Sequence, residues 1–340
     1  MNEINTIHIS PEEMRANFTD ILISFNFSAE DAKICAEIFT QNSVDGVYSH
    51  GVNRFPRFID YIKKGLIFPK NKPSLKNKIG VIEQWEGALA PGPLNAVFAT
   101  DKALEIAKES GIGCVALSNT NHWMRGGYYG WHAAKKEHIF IGWTNTTSIM
   151  PAWGAADPKL GNNPLVMAIP YHNEAIVLDM SMSQFSYGAM ELAELKNEKL
   201  KVNGGYDDNG NLTNDPGAIL KSMRTLPVGF WKGSSLSFVL DVLATILSDG
   251  LAVHQVAKKE EEISCSQVFI AINPKKLNGS VNHNKVIDQI IEDLKRSIPI
   301  NNASYVRYPG ERAVENRISN TAKGIPVLIP VWKEIKSFLT

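Results

Sequence analysis

The first third of the chain places its apolar residues at helical spacing. Ser10-Pro11-Glu12-Glu13 has the form of a capping box: the serine accepts from a free backbone N–H, the glutamate reaches back, and proline suits the first helical position. Ser28 and Asp31 open a second helix in the same way, with Ile34, Cys35, Ile38 and Phe39 as its apolar stripe. Gly46 allows a turn. Phe55, Phe58, Ile59 and Ile62 then recur at i, i+3, i+4 and i+7, which predicts a third helix. Proline is comfortable only within a helix's first turn, so Pro56 moves the expected start to near Val52 and leaves His50 at the N-terminal edge.

From about Gly80 strands and helices alternate. Strands are predicted over 81–85, 114–117, 139–144, 165–169, 175–179 and 268–272, and helices over 94–109, 128–136 and 236–247. The pair 165–169 and 175–179 is joined at Tyr171-His172-Asn173. A break at Asn273-Pro274 leads to a helix over 285–296, a segment over 306–311 and a terminal helix from near Val331. The pattern describes an α/β protein. Its mixed β-sheet domain, 79–275, is flanked by helices, and a helical N-terminal domain, 1–78, is expected to be joined by 276–340.

Composition narrows the partners. Lys plus Arg and Asp plus Glu each total 35, so no long-range field favours nucleic acid or an anionic membrane. The 44% hydrophobic content of 340 residues supports a sizeable core. Cys35, Cys114 and Cys265 lie far apart and are odd in number, as expected of buried thiols in a reducing cytoplasm. The N-terminus shows no signal-peptide progression, and the most apolar stretch, 236–253, is interrupted by Asp241 and Asp249, so no membrane span is expected.

Candidate chemistry centres on Ser49-His50-Gly51-Val52-Asn53-Arg54. On a helix, residues four apart share a face about 5–6 Å apart, so His50 and Arg54 would point into the same space. An imidazole exchanges protons near neutral pH and a guanidinium fork grips a carboxylate. Together they suit protonation of a developing alkoxide on a small carboxylate-bearing substrate, although a solvated helix face would carry the same residues. Ser49 could bond the imidazole or cap the next helix. No G-x-G-x-x-G lies between a strand and a helix: Gly111-Ile112-Gly113 precedes its strand. Gly126 and Gly127 open a predicted helix, where free N–H groups could face a pyrophosphate or simply form a turn. His8, His132, His138, His172, His254 and His283 do not pair with carboxylates or cysteines at ligand spacing, so no metal is expected.

The stretch VYSHGVNRFPRF at 47–58 resembles the signature of the malate/L-lactate dehydrogenase type 2 oxidoreductases. The resemblance continues in IEQW at 82–85, NHWMRGG at 121–127, MSMS at 180–183, GGYDD at 204–208, WKG at 231–233 and PGE at 309–311. It implies a cofactor, NADH with NADPH as the alternative, bound on a fold unrelated to the Rossmann domain. His122, Trp123, Met124, Arg125 and Gly126 would sit near that cofactor. Ala175, Ile176, Val177, Leu178, Asp179, Met180 and Ser181 would run alongside it, and Trp231, Lys232, Gly310, Glu311 and Arg312 would complete its site. An acid such as Asp179, if close to the adenosine 2′ position, would favour NADH. Catalysis falls to His50, assisted by Ser49. Asp207 matches a family acid that orients the histidine, although an Asp-Asn-Gly turn explains it almost as well. Arg54 would anchor the substrate carboxylate. Asn162 stands where relatives commonly carry threonine, which bears on the substrate rather than the reaction. The implied function is NADH-dependent reduction of a 2-keto acid by a homodimer. Alternatives are a malate, lactate or ureidoglycolate dehydrogenase, an imine reductase, and a non-catalytic small-molecule binding protein.

Overall fold

The computed structural model describes residues 6–277, 283–300 and 306–339. After strand β1 (Thr6–Ile9), helices α1 (Pro11–Ser24) and α2 (Ala29–Val44) start where the sequence places them: Ser10 Oγ accepts from Glu13 N at 3.1 Å and Ser28 Oγ from Asp31 N at 3.1 Å. The third helix differs from expectation. Two short 3₁₀ turns, Tyr48–His50 and Val52–Arg54, precede α3 (Phe55–Lys63), so Pro56 lies in its first turn and His50 lies before the helix. Phe55, Phe58 and Ile59 are buried as the spacing requires. Phe55 stacks on Phe18 with ring centroids 4.0 Å apart.

The sheet then builds from β2 (Ser74–Ile79), β3 (Ile82–Glu86), helix α4 (Gly92–Ser110), β4 (Ile112–Thr120), helix α5 (Gly126–Lys135) and β5 (Ile139–Thr144). A small pair, β6 (Met150–Pro151) and β7 (Pro158–Leu160), precedes the hairpin β8 (Leu165–Tyr171) and β9 (Glu174–Met180). A lobe follows, made of α6 (Tyr187–Leu195), β10 (Gly205–Tyr206), β11 (Leu212–Thr213) and α7 (Pro216–Ser222). Next come α8 (Trp231–Ser248), α9 (Val253–Val256), β12 (Cys265–Ile272), α10 (His283–Lys295), α11 (Glu311–Lys323), β13 (Ile325–Leu328) and α12 (Ile329–Lys336). The seven-stranded order is β2-β3-β4-β12-β5-β8-β9, with β3 and β4 parallel and the other neighbours antiparallel.

Two details correct the sequence reading. Helix α8 begins at Trp231, five residues before the apolar run, and Asp241 within it accepts from Asn145 Nδ2 at 3.0 Å and Val253 N at 2.9 Å. Strand β2 lies outside the predicted elements because all six of its residues are exposed; its ladder to β3 and the bonds of Lys76 to Asp249 hold it. The N- and C-terminal segments share one core: β1 pairs with β13, and Ile325, Val327, Trp332 and Ile335 pack with Phe18, Phe39 and Phe55. Among the described residues no helix is long and apolar enough to cross a membrane.

Candidate active site

Helix α2 ends against the loop that carries His50. Gly46 turns the chain at φ +82°. Gly51 passes so close to α2 that a Cβ there would stand 2.2 Å from Ser43 Oγ and 2.9 Å from the Phe39 carbonyl oxygen. Val52 N donates to Ser43 Oγ at 2.8 Å, and Asn42 Nδ2 to the His50 carbonyl at 3.0 Å. His50 and Arg54 are thus set by two 3₁₀ turns and not by one α-helical face. Ser49 Oγ lies 2.9 Å from His50 Nδ1, so the serine bonds the imidazole and caps nothing.

Two imidazoles share the resulting space. The His122 ring stacks on that of His50, with centroids 5.7 Å apart. Met124 N donates to His122 Nδ1 at 2.9 Å, which leaves the ring hydrogen on Nε2. Burial, with the positive charges of Arg54 and Arg125, pulls the His50 pKa down to about 4. Burial, and then the charges of Arg54 and Arg57, hold His122 well below the ordinary imidazole range. Both rings are therefore neutral at pH 7. The Arg54 guanidinium makes no hydrogen bond or ion pair among the described residues, whereas the residue's backbone N–H donates to the Gly51 carbonyl at 3.0 Å. Its pKa is lowered, chiefly by burial and then by Arg57.

Next to the histidines lies a charged network that the sequence did not reveal. Arg125 Nη1 donates to Asp45 Oδ2 at 2.6 Å, and its Nε lies 3.6 Å from Asp179 Oδ2. Asp45 also pairs with Arg317 at 2.9 Å, and Arg317 with Glu174 at 2.9 Å. Arg125 and Asp45 are only 7% and 2% exposed, so removing either would strand a buried charge. Asp179 Oδ2 accepts from Gly127 N at 2.9 Å, which means that the Gly127 N–H is not free for a phosphate. Withdrawal from bulk water raises the Asp179 pKa against the lowering pull of Arg125.

A cavity of about 500 Å³ runs from His50, Ser49 and His122 past Arg125 and Asp179 to Gly310 and Arg312. Trp123, Met124, Gly126, Asn162, Val177 and Ser181 also border it. Val177 N donates to the Pro309 carbonyl at 3.0 Å, which seats the Gly310 turn on the edge of β9. Alternation along β9 buries Ala175 and Val177 and turns Ile176, Leu178 and Met180 to the other face. The Trp123 indole packs into the core against Tyr129 and Phe269, so only part of that residue meets the cavity. Asn162 Oδ1 accepts from Thr146 Oγ1 at 3.1 Å, and Thr146 is a wall residue that sequence reasoning missed. A larger groove, about 970 Å³, lies between the β8–β9 turn and α10, and none of the predicted site residues border it.

Several predicted residues stand apart. Asp207 is exposed in a turn, accepting from Asn209 N at 2.9 Å and Asn211 N at 2.8 Å, and those bonds lower its pKa. Its carboxylate is not among the groups around His50, and the Asp-Asn-Gly turn accounts for it. Trp231 and Lys232 open α8 with exposed side chains, away from the cavity wall. Glu311 pairs with Lys295 on the outer side of the turn. Asp45 and Arg317 carried no local signal, because they are paired across 272 residues.

A mixed sheet of this order, with a histidine pair and an arginine at one end, defines a class. The family model described as malate/L-lactate dehydrogenase matches residues 9–336, and the chain belongs to this family of oxidoreductases. The 2,3-diketo-L-gulonate reductase of Citrobacter koseri is 44% identical over 327 residues, covering 96% of this chain and 98% of that protein. The enzyme of the same name from Pasteurella multocida is 44% identical over 330 residues, 97% of this chain and 99% of its own. The solved sulfolactate dehydrogenase of Methanocaldococcus jannaschii, 28% identical, superposes with a TM-score of 0.86 over 98% of this chain and 96% of that one. The malate dehydrogenase of Entamoeba histolytica shares the fold, with a TM-score of 0.93 at 24% identity over 98% and 97% of the two chains. The protein is accordingly an oxidoreductase that works with a nicotinamide cofactor.

The site fits such a group. Gly310 adopts φ +97°, and a Cβ there would stand 3.0 Å from Val177 N, so only glycine lets this turn seat so closely on β9. Arg312 offers a cation on the wall for phosphate.

Proposed function

We propose that this protein reduces a 2-keto acid with NADH, the substrate being 2,3-diketo-L-gulonate and the product 3-dehydro-L-gulonate. The substrate follows the names of the relatives that match nearly the whole chain. The observation that carries the reaction is the pair of neutral imidazoles on the cavity wall, with the guanidinium of Arg54, which has no ionic partner among the described residues, behind that wall and near enough to depress both. The cofactor, held by Gly310, Arg312 and the Val177–Ser181 edge, supplies hydride.

The side chains do the rest. Arg54 grips the substrate carboxylate, whose negative charge works against both the burial and the cations that depress His50 and favours uptake of a proton by the imidazole. His50 gives that proton to the carbonyl oxygen as negative charge develops there. Ser49 occupies Nδ1 and leaves Nε2 to face the substrate. His122, with its hydrogen fixed on Nε2, donates to the same oxygen without titrating. Asn162 and Thr146 meet the hydroxyls of the sugar acid.

A homodimer in the cytoplasm completes the reading. The dimer is supported by the apolar face of α8, where Phe238 is 60% and Ile246 67% exposed, beside Trp231, Val239 and Leu243. The test is NADH absorbance with a panel of 2,3-diketo-L-gulonate, pyruvate, oxaloacetate and a cyclic imine acid. Turnover confined to another member of the panel, or to none, overturns the substrate assignment.

A further inference from the structure

Short turns are all the main-chain structure that the His50 loop has, and the side chains that hold it come from the neighbouring Asn42 and Ser43 and from the far end of the chain. Asn320 of α11 donates from Nδ2 to the carbonyls of Ser43 at 3.3 Å and Val44 at 2.9 Å, and to the Tyr48 hydroxyl at 3.1 Å. Those carbonyls belong to the last turn of α2: that of Ser43 also accepts from Gly46 N at 3.0 Å, whereas that of Val44 is met by the Asn320 amide. A side chain 276 residues away therefore caps the helix that leads into the loop.

One turn earlier on α11, Asn316 Nδ2 donates to the Asp45 carbonyl at 3.2 Å and Arg317 Nε to the Asp45 carboxylate at 2.9 Å. The Asn316 amide fills the space a side chain at Gly46 would need: a Cβ there would lie 2.2 Å from its Nδ2. Positions 316, 317 and 320 thus cover residues 43–48, directly before Ser49 and His50.

The same helix is fastened at its other end to the nucleotide side of the cavity. It starts at Gly310, whose preceding carbonyl is bonded to Val177 N, and Arg317 Nη1 holds Glu174 at the beginning of β9 at 2.9 Å. Arg317 is a single planar fork shared between β9 and the residue that introduces the catalytic loop.

We propose that Asn320 and Arg317 are positioning residues for His50, and that α11 links occupancy of the nucleotide end of the cavity to the placement of the Ser49-His50 loop. The link rests on the cofactor position given above. Physical coupling requires an element that both sites contact, and α11 is such an element.

The experiment uses the full chain as wild type, Asn320→Ala, Arg317→Gln and Arg317→Lys. Amide hydrogen exchange over 43–54 is read with and without NADH, together with NADH affinity by fluorescence and turnover of the keto acid. NADH is expected to slow exchange over 43–54 in the wild type. Asn320→Ala should speed that exchange and lower kcat by about ten- to a hundredfold, as misplacement of a reacting group does. Its NADH affinity should stay within about threefold of wild type, since no nucleotide contact is lost. Arg317→Gln should bind NADH yet lose the slowing, and Arg317→Lys should recover part of it.

Wild-type kcat and exchange in Asn320→Ala would overturn the positioning role. NADH that binds the wild type but leaves 43–54 unchanged would overturn the link. A wild type that does not bind NADH defeats the functional reading itself, and the positioning role is then decided by Asn320→Ala exchange in the free protein. If Asn320→Ala does not fold, Arg317→Gln against Arg317→Lys decides on the same readouts.

Discussion

In the β8–β9 hairpin each residue from Leu165 to Tyr171 faces a partner from Met180 back to Glu174, so position is fixed by a ladder of main-chain bonds. The His50 loop borders the same cavity, but it is fixed by side chains reaching its backbone: Asn42 to His50, Ser43 to Val52, and Asn320 to Ser43 and Val44. A ladder tolerates almost any side chain that keeps its face. A loop held by particular amides and hydroxyls tolerates few, and His50, the proton donor proposed above, stands on the second kind of support. Substitutions in the loop should therefore cost far more than substitutions in the hairpin.

The largest effect is expected at His50 itself. His50→Gln keeps a hydrogen-bonding group and removes acid catalysis, so turnover should fall ~10²–10⁴-fold while NADH binding survives. Fluorescence titration beside steady-state assays measures both, and unchanged turnover would remove His50 from the reaction. Arg54→Lys keeps the charge and loses the fork. Loss of a charge-assisted bond of roughly 1.5–3 kcal/mol should weaken the keto acid by about one to two decades. A neutral amide analogue should bind poorly to both proteins; equal losses for acid and amide on mutation would make Arg54 structural.

Next in size is Gly51→Ala. Its Cβ would run into the backbone of α2, with overpacking of about 1–3 kcal/mol expected in urea unfolding. Stability within error of wild type would show that the loop is looser than its contacts imply.

The pH dependence of stability gives a smaller signal. Because the folded His50 pKa is depressed to about 4, the unfolded chain binds more protons below the ordinary imidazole pKa. Its contribution is therefore present above about pH 6.5 and is lost as pH falls toward 4. His50→Gln should flatten that acid-side loss, and the same slope in both proteins would contradict the low pKa. The smallest effect is expected at the hairpin turn. His172 has φ +47° and an exposed contact with Asp288 at 2.9 Å, so His172→Asn should change stability by less than about 1 kcal/mol. A larger loss would erase the contrast between the two supports.

The same contrast explains what could be read in advance. Strand 139–144 and the 165–169 and 175–179 pair were legible because alternation and turn residues act within a few positions. The caps at Ser10 and Ser28 are equally local. His50, Ser49, His122 and the Gly310 turn were found through a motif, and they do border one cavity. Asp45, Thr146, Arg317 and Asn320 were missed because their partners are distant in sequence and no periodicity marks them. Asp207 shows the opposite error, since a motif match named a carboxylate whose bonds are all spent in its own turn.

Arg54 has one further consequence, and it concerns solutions. A withdrawn guanidinium lacking an ionic partner among the described residues attracts any small anion that can reach it, substrate or not. At the carboxylate subsite proposed for Arg54, acetate, citrate and sulfate in a buffer are expected to compete, so that the apparent KM for the proposed keto acid rises with their concentration. Buffers built on zwitterionic amines would report the intrinsic value.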